Sequence, residues 1–101
     1  GIRDYKVTGV QTCALPISAI VLGVVVRGET PHFDYVCQGV TDGVMELTLQ
    51  SGKPIGFGVL TVDSVEQAIA RSGAPGSKED KGYDSAIAAL DLLAIKKRFS
   101  R

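Results

Sequence analysis

The apolar residues of the chain follow two patterns, and the first is a pair of short continuous runs. Residues 19–26 are all apolar or glycine, are rich in β-branched side chains and end at Arg27 and Gly28. Such a run is typical of a strand buried on both faces of a parallel sheet. Residues 55–61 form a second run, which Gly56 and Gly58 interrupt. This run predicts a second strand whose backbone closely approaches a ligand or another chain.

The second pattern is helical. Between residues 31 and 50, apolar side chains recur at steps of three and four, which predicts an amphipathic helix. These side chains are Phe33, Val36, Cys37, Val40, Val44 and Leu47. Thr30 is a favourable N-cap, Pro31 suits the first helical position, and Gly52 suits the C-terminal cap.

Two further helices are predicted after the second strand. The first has Asp63 as its N-cap and stops by Gly73. A polar loop follows over residues 73–82, and we expect it to be mobile unless a ligand or a neighbour orders it. The last helix is capped by Asp84 or Ser85 and carries cations at its C-terminal end, where the helix dipole favours them.

The order strand, helix, strand, helix, helix predicts an α/β domain with a parallel strand pair joined by a right-handed crossover. Ligands bind open α/β sheets beyond the carboxyl ends of the strands. Residues 28–32 and 61–63 both follow such ends. A helix that starts there leaves backbone N–H groups unpaired, and these groups together with the helix dipole suit an anion. We therefore expect an anion-binding site near His32, the only histidine of the chain.

Composition excludes several classes of partner. Eleven Lys and Arg balance eleven Asp and Glu, so nothing indicates a nucleic acid or an anionic membrane surface. No apolar run approaches the roughly 20 residues that span a bilayer. The two cysteines, Cys13 and Cys37, lack metal-type spacing, which favours free thiols in a reducing compartment. We expect Cys37 to be a small buried side chain.

The first seventeen residues differ from the rest, because they show no sustained hydrophobic period. Residues 1–4 and 7–17 match, in a single frame, the translation of a sequencing-library adapter, and residues 5 and 6 fall where a barcode would lie. We interpret residues 1–17 as a non-native segment of this origin and residues 18–101 as the domain. The alternative is a divergent natural N-terminus.

A specific resemblance lies in residues 23–37, Gly-Val-Val-Val-Arg-Gly-Glu-Thr-Pro-His-Phe-Asp-Tyr-Val-Cys. This segment resembles the signature of the lumazine synthases, and the similarity continues, in order, through residues 53–61, 66–71 and 81–82. A fifteen-residue segment with three further blocks is far more specific than a lone glycine motif. Lumazine synthases have strands and helices before this signature, so we expect residues 18–101 to be the C-terminal part of such a domain.

The resemblance implies a flavodoxin-like, three-layer α/β/α domain with a parallel sheet, in a cytoplasmic transferase of riboflavin biosynthesis. The implied reaction condenses 5-amino-6-(D-ribitylamino)uracil with 3,4-dihydroxy-2-butanone 4-phosphate to 6,7-dimethyl-8-ribityllumazine. It implies no metal and no organic cofactor, because the two small-molecule substrates carry the reactive groups. The alternative is a non-catalytic assembly or flavin-binding fragment of the same fold.

The resemblance also assigns residues around the phosphate substrate. His32 matches the proton donor, and an imidazole can give and take protons at neutral pH. Glu29 and Thr30 match residues that hold the phosphate, largely through backbone N–H groups. Arg71 matches the phosphate-binding arginine, whose guanidinium can grip phosphate bidentately. Without the resemblance, a solvated histidine and a solvated arginine would be the ordinary interpretations.

The remaining assigned residues surround the pyrimidine. Val24, Val25 and Val26 match positions that bind the uracil through the backbone, although buried core is the ordinary role of their side chains. Phe57 matches the residue that borders the ring, and Lys81 matches a lysine near the same site. The resemblance implies a pentamer in which Phe57 and Arg71 come from the neighbour of the subunit that supplies His32. Pentamers, paired pentamers and icosahedral shells remain open as alternatives.

Overall fold

The structure, a computed structural model, describes residues 16–100. In order, the elements are β1 (Ala19–Val26), α1 (His32–Ser51), β2 (Ile55–Val62), α2 (Val65–Ala70) and α3 (Lys81–Phe99). The two strands pair in parallel. The predicted element order, the α/β class and the parallel pair are therefore confirmed.

β1 has the predicted bounds, but it is more exposed than its apolar sequence predicts. It pairs with β2 from Ala19 opposite Ile55 to Val26 opposite Val62. Leu22 is nevertheless 65% exposed and Val24 52% exposed. The prediction of burial on both faces is wrong for this chain. Side chains alternate along a strand, so Leu22 and Val24 share one face, and the elements within residues 16–100 leave that face exposed.

The long helices lie on opposite faces of the strand pair. Gly56 and Gly58 face α3, where Ser85 and Ala89 are buried against them. On the other face, Leu47 of α1 lies beside Ala19 and Ile55. The glycines of β2 therefore allow close approach of the chain's own helix, whereas the sequence pattern favoured a ligand or another chain.

A Cβ at either glycine would overlap α3 or its surroundings. At Gly56 it would overlap the carbonyl oxygen of Ser85, and at Gly58 it would lie 2.8 Å from Ser85 Oγ and 2.7 Å from Leu22 Cδ2. Ser85 is only 5% exposed, and its hydroxyl donates a 2.9 Å hydrogen bond to the carbonyl oxygen of Gly82. Ala89, at this contact, is one of the two buried apolar side chains of the described residues; the other is Val62.

The ends of α1 follow the predicted chemistry in part. Gly52 adopts a left-handed conformation with φ 67° and donates its N–H to Thr48 O at 3.0 Å, as expected for a C-terminal glycine cap. At the start, Pro31 is the N-cap, one residue later than predicted. Thr30 still contributes, because its hydroxyl accepts a 3.4 Å hydrogen bond from the N–H of His32.

The other two helix starts differ from the predictions. Ser64, and not Asp63, caps α2, and its hydroxyl accepts a 3.2 Å hydrogen bond from the N–H of Gln67. The Gln67 side chain in turn accepts the N–H of Asp63 at 2.7 Å, one residue before the cap, so Ser64 and Gln67 form an arrangement similar to a capping box. α3 begins earlier than predicted, because the carboxylate of Asp80 accepts the N–H of Tyr83 at 2.9 Å.

Two smaller expectations also change. The Cys37 thiol is free and half-buried, so it is less enclosed than the apolar helix face predicts. Cys13 lies outside the described residues.

The polar loop before α3 is held at its base, where the N–H of Gly73 donates to Glu79 O at 3.1 Å. Among the described helices, none has both the length and the apolar character needed to cross a membrane.

Candidate active site

The first part of the candidate site lies at the carboxyl end of β1. The parallel ladder runs one residue past the strand, because the N–H of Arg27 donates to Val62 O at 2.8 Å. The chain then turns at Gly28 and enters α1. A pocket of about 160 Å³ opens at this turn. Its lining residues are Val25, Val26, Gly28, Thr30, His32, Phe33 and Val36.

This His32 pocket brings together four of the predicted site residues. Val25 and Val26 supply an apolar wall, Thr30 supplies a hydroxyl, and the exposed His32 imidazole lies at the rim beside the start of α1. A proton-exchanging group, a hydroxyl and a helix N-terminus can together receive an anionic, oxygen-rich molecule. Val24 and Glu29 do not line this pocket, and both are exposed.

The second part lies along the outer edge of β2. A pocket of about 220 Å³ is lined by residues 57–62 of the strand together with Arg71 and Lys81. The two cations are adjacent because the N–H of Lys81 donates to Arg71 O at 3.0 Å. Phe57, 42% exposed, lies in the same pocket. This Arg71 pocket therefore combines an aromatic ring with two positive charges.

An ion pair limits the freedom of Lys81. Its ammonium lies 2.7 Å from Glu79 Oε1 and 4.0 Å from Asp84 Oδ2. The hydrogen bond with Glu79 raises the pKa of Lys81 and lowers that of Glu79. Lys81 is therefore charged at neutral pH, but the Glu79 carboxylate partly neutralises its positive charge. The Arg71 guanidinium has no carboxylate partner within the described residues and donates instead to Gln67 O at 2.9 Å.

The His32 pocket and the Arg71 pocket share no lining residue. The family resemblance implies that both groups act on one substrate pair, and a single chain does not bring them into one cavity. Each pocket is also open to solvent. Among residues 16–100, no three His, Cys, Asp or Glu side chains lie close enough to hold a metal ion.

An ion pair that was not predicted from the sequence joins the ends of the two strands. Arg27 Nε lies 2.7 Å from Asp63 Oδ1, and Arg27 Nη1 lies 3.7 Å from Asp34 Oδ1. The guanidinium also stacks 4.3 Å from the centroid of the Phe33 ring. The sequence does contain an indication of this contact, because residues 27 and 63 follow directly after two strands that are predicted to be parallel neighbours.

The structure thus defines an α/β protein with a parallel strand pair and a candidate ligand pocket at the carboxyl end of β1. The sequence profile of the 6,7-dimethyl-8-ribityllumazine synthase family matches residues 10–97. The chain belongs to this family.

Curated relatives carry the same name. A 6,7-dimethyl-8-ribityllumazine synthase of Frankia casuarinae is 59% identical over 95 residues, which are 94% of this chain and 59% of that protein. The Micrococcus luteus protein is 61% identical over 79 residues, covering 77% of this chain and 50% of its own length. The Corynebacterium efficiens protein is 49% identical over 105 residues, covering 96% and 66%. The chain spans about half the length of the curated relatives it matches.

Proposed function

We propose that the gene product to which this chain belongs is a transferase of riboflavin biosynthesis. It joins 5-amino-6-(D-ribitylamino)uracil to 3,4-dihydroxy-2-butanone 4-phosphate, forms 6,7-dimethyl-8-ribityllumazine and releases phosphate and water. The observation that carries the proposal is the His32 pocket, which is built from the signature residues of a family named for this product.

His32 is the proposed proton donor and acceptor of the reaction. Its imidazole lies at the rim of the pocket and is exposed, so it can exchange protons with both solvent and substrate. An imidazole is well suited to this task near neutral pH. The hydrogen bond from the His32 backbone N–H to Thr30 ties the residue to the turn before α1.

The phosphate of the four-carbon substrate is proposed to bind at the turn of residues 28–32. The start of a twenty-residue helix supplies a partial positive charge there, and Thr30 supplies a hydroxyl. Glu29 contributes its backbone in this proposal, because its carboxylate would repel the anion. Arg71 supplies the second contact to the phosphate, since its guanidinium is held by no carboxylate in the described part of the chain.

The complete site is proposed to form between two subunits of a homo-oligomer based on a pentamer. The Arg71 pocket of one subunit, with Phe57 and Lys81, would face the His32 pocket of its neighbour. Two observations support this arrangement: the pockets share no residue, and each holds only part of the required groups. Val24, Val25 and Val26 are proposed to contact the uracil through backbone groups.

The boundary at residue 18 is also a proposal. Residues 1–17 are interpreted as a non-native, adapter-derived segment, and residues 18–101 as the C-terminal part of a lumazine synthase domain. The family match begins at residue 10, inside that segment, so the interpretation has to account for part of the match. The genomic reading frame around residue 18 decides this, because a native frame would encode residues 1–17 directly.

The complete gene product tests the function. Purified protein is incubated with both substrates, and 6,7-dimethyl-8-ribityllumazine and inorganic phosphate are measured over time. We expect product and phosphate to appear in equal amounts and only when both substrates are present. A protein that binds the lumazine or a flavin but forms no product would support the non-catalytic alternative.

A further inference from the structure

Arg27 lies where three elements of the chain meet. Its backbone N–H extends the ladder between the strands, and its side chain contacts Asp63 at the end of β2. The same side chain reaches Phe33 and Asp34 in the first turn of α1. One residue therefore connects both strand ends with the helix that carries His32.

Carboxylates outnumber the basic side chains around Arg27. Residues 24–36 and 61–66 contain four carboxylates, those of Glu29, Asp34, Asp63 and Glu66, and Arg27 is their only Lys or Arg. Two of the four are in ion-pair contact with its guanidinium. Because like charges repel over several ångströms in a partly exposed site, uncompensated carboxylates here would oppose the binding of a phosphate.

We propose that Arg27 is a positioning residue for phosphate binding at the His32 pocket: it neutralises Asp34 and Asp63 and holds the turn of residues 28–32 against the end of β2. This inference rests on the proposed function, which assigns the phosphate to that turn. It concerns a residue that does not line the pocket.

The geometry favours an electrostatic role over a purely stabilising one. The side chains of Arg27 and Asp63 are 47% and 64% exposed, and exposed ion pairs contribute little to folding. Asp63 is itself held, because its backbone N–H donates to the Gln67 side chain at 2.7 Å. The hydrogen bond to Asp63 raises the pKa of Arg27, and a guanidinium is charged at neutral pH.

Phosphate titration of the full 101-residue chain tests the proposal. Backbone amide shifts of residues 28–34 are followed by NMR with increasing inorganic phosphate, in the wild-type chain and in three variants. We expect Arg27→Gln to weaken apparent phosphate affinity about tenfold, a factor that corresponds to about 1.4 kcal/mol. Arg27→Lys, which keeps the charge, should recover most of the affinity. Arg27→Gln with Asp63→Asn should recover part of it, because one opposing carboxylate is removed as well.

The recovery of phosphate affinity in these variants distinguishes a positioning role of Arg27 from a role in stabilising the fold. A structural role would predict that the double variant is at least as impaired as Arg27→Gln, and thermal unfolding of every variant provides the control. In the complete gene product, Arg27→Gln should raise KM for the phosphate substrate and leave KM for the pyrimidine and kcat within about twofold.

Three results overturn the inference: wild-type affinity in Arg27→Gln, no recovery in the double variant, or an equal rise in KM for both substrates. If the wild-type amides do not respond to phosphate at all, the assignment of phosphate to this turn fails as well. A wild-type response that Arg27→Gln leaves unchanged overturns only the inference about Arg27.

Discussion

Replacing Gly56 by alanine tests the contact that joins α3 to the sheet. The added Cβ would overlap the carbonyl oxygen of Ser85, lie 3.0 Å from its carbonyl carbon and lie 3.4 Å from Ala89 Cβ. The first two atoms are helix backbone, so no side-chain rotation can relieve the overlap. Because Ala89 is only 2% exposed, the relief has to come from a shift of α3 away from β2.

The magnitude follows from two opposing effects. Overpacking of this kind costs about 1–3 kcal/mol. Alanine also restricts the unfolded chain more than glycine does, which offsets about 0.4–1 kcal/mol. We expect a net loss of about 1–2 kcal/mol in the free energy of unfolding. For a domain of this size, that loss lowers the unfolding midpoint by about 4–16 °C.

A matched control uses the same substitution in α1. A Cβ at Gly43 would meet no atom within 4 Å, and Gly43 lies inside a regular helix. Gly43→Ala should therefore raise stability by about 0.5–1 kcal/mol. Both variants are compared with the wild-type chain by thermal and urea unfolding monitored by circular dichroism. The packing argument would be refuted if Gly56→Ala were as stable as wild type, or if both substitutions changed the free energy of unfolding in the same direction.

Four further predictions concern the site and the chain ends. In the complete gene product, His32→Ala should slow lumazine formation about 10²–10⁴-fold; unchanged turnover at saturating substrates would remove its catalytic assignment. Arg71→Ala should raise KM for the phosphate substrate about ten- to a hundredfold, since a charged hydrogen bond is worth about 1.5–3 kcal/mol, whereas an equal rise for the pyrimidine would indicate a role in folding or assembly. Lys81 lowers the pKa of Glu79, so this ion pair contributes stability above the ordinary carboxyl value of 4.5 and loses it as pH falls through the lowered value. Unfolding midpoints of wild type and Glu79→Gln should therefore differ above that pH and converge in acid, and a constant difference would contradict the pairing. Deleting residues 1–17 should leave the unfolding midpoint of the chain unchanged; loss of cooperative unfolding would overturn their interpretation as non-native.

The chain order and the strand bounds were predictable because their signals are local. A run of β-branched residues favours an extended backbone, and the predicted bounds of β1 match the structure. Gly52 was predictable as a helix cap because only glycine enters the left-handed region without a steric cost. The family assignment was also predictable, since residues 23–37 carry it in one continuous segment.

Competition between neighbouring polar residues was harder to predict. Asp80, Asp84 and Ser85 are all chemically suitable as the cap of α3, and Asp80 takes this position. Ser85 is instead buried against Gly58, and its hydroxyl donates a hydrogen bond to the carbonyl oxygen of Gly82 within the helix. Capping preferences are properties of single residues and do not include the packing of the helix on the sheet. That packing therefore decides which of the three residues becomes the cap.

The sequence by itself determined the elements, their parallel arrangement and the residue types available for chemistry. The tertiary structure alone decided which of these residues meet. His32 and Arg71 lie in separate pockets, although both are assigned to one substrate pair, because one pocket lies at the carboxyl end of β1 and the other lies along β2. Arg27 and Asp63, 36 positions apart, form an ion pair because β1 and β2 end in register. Local sequence patterns specify backbone conformation, whereas contacts between distant residues depend on the register and on the faces that the packed elements present.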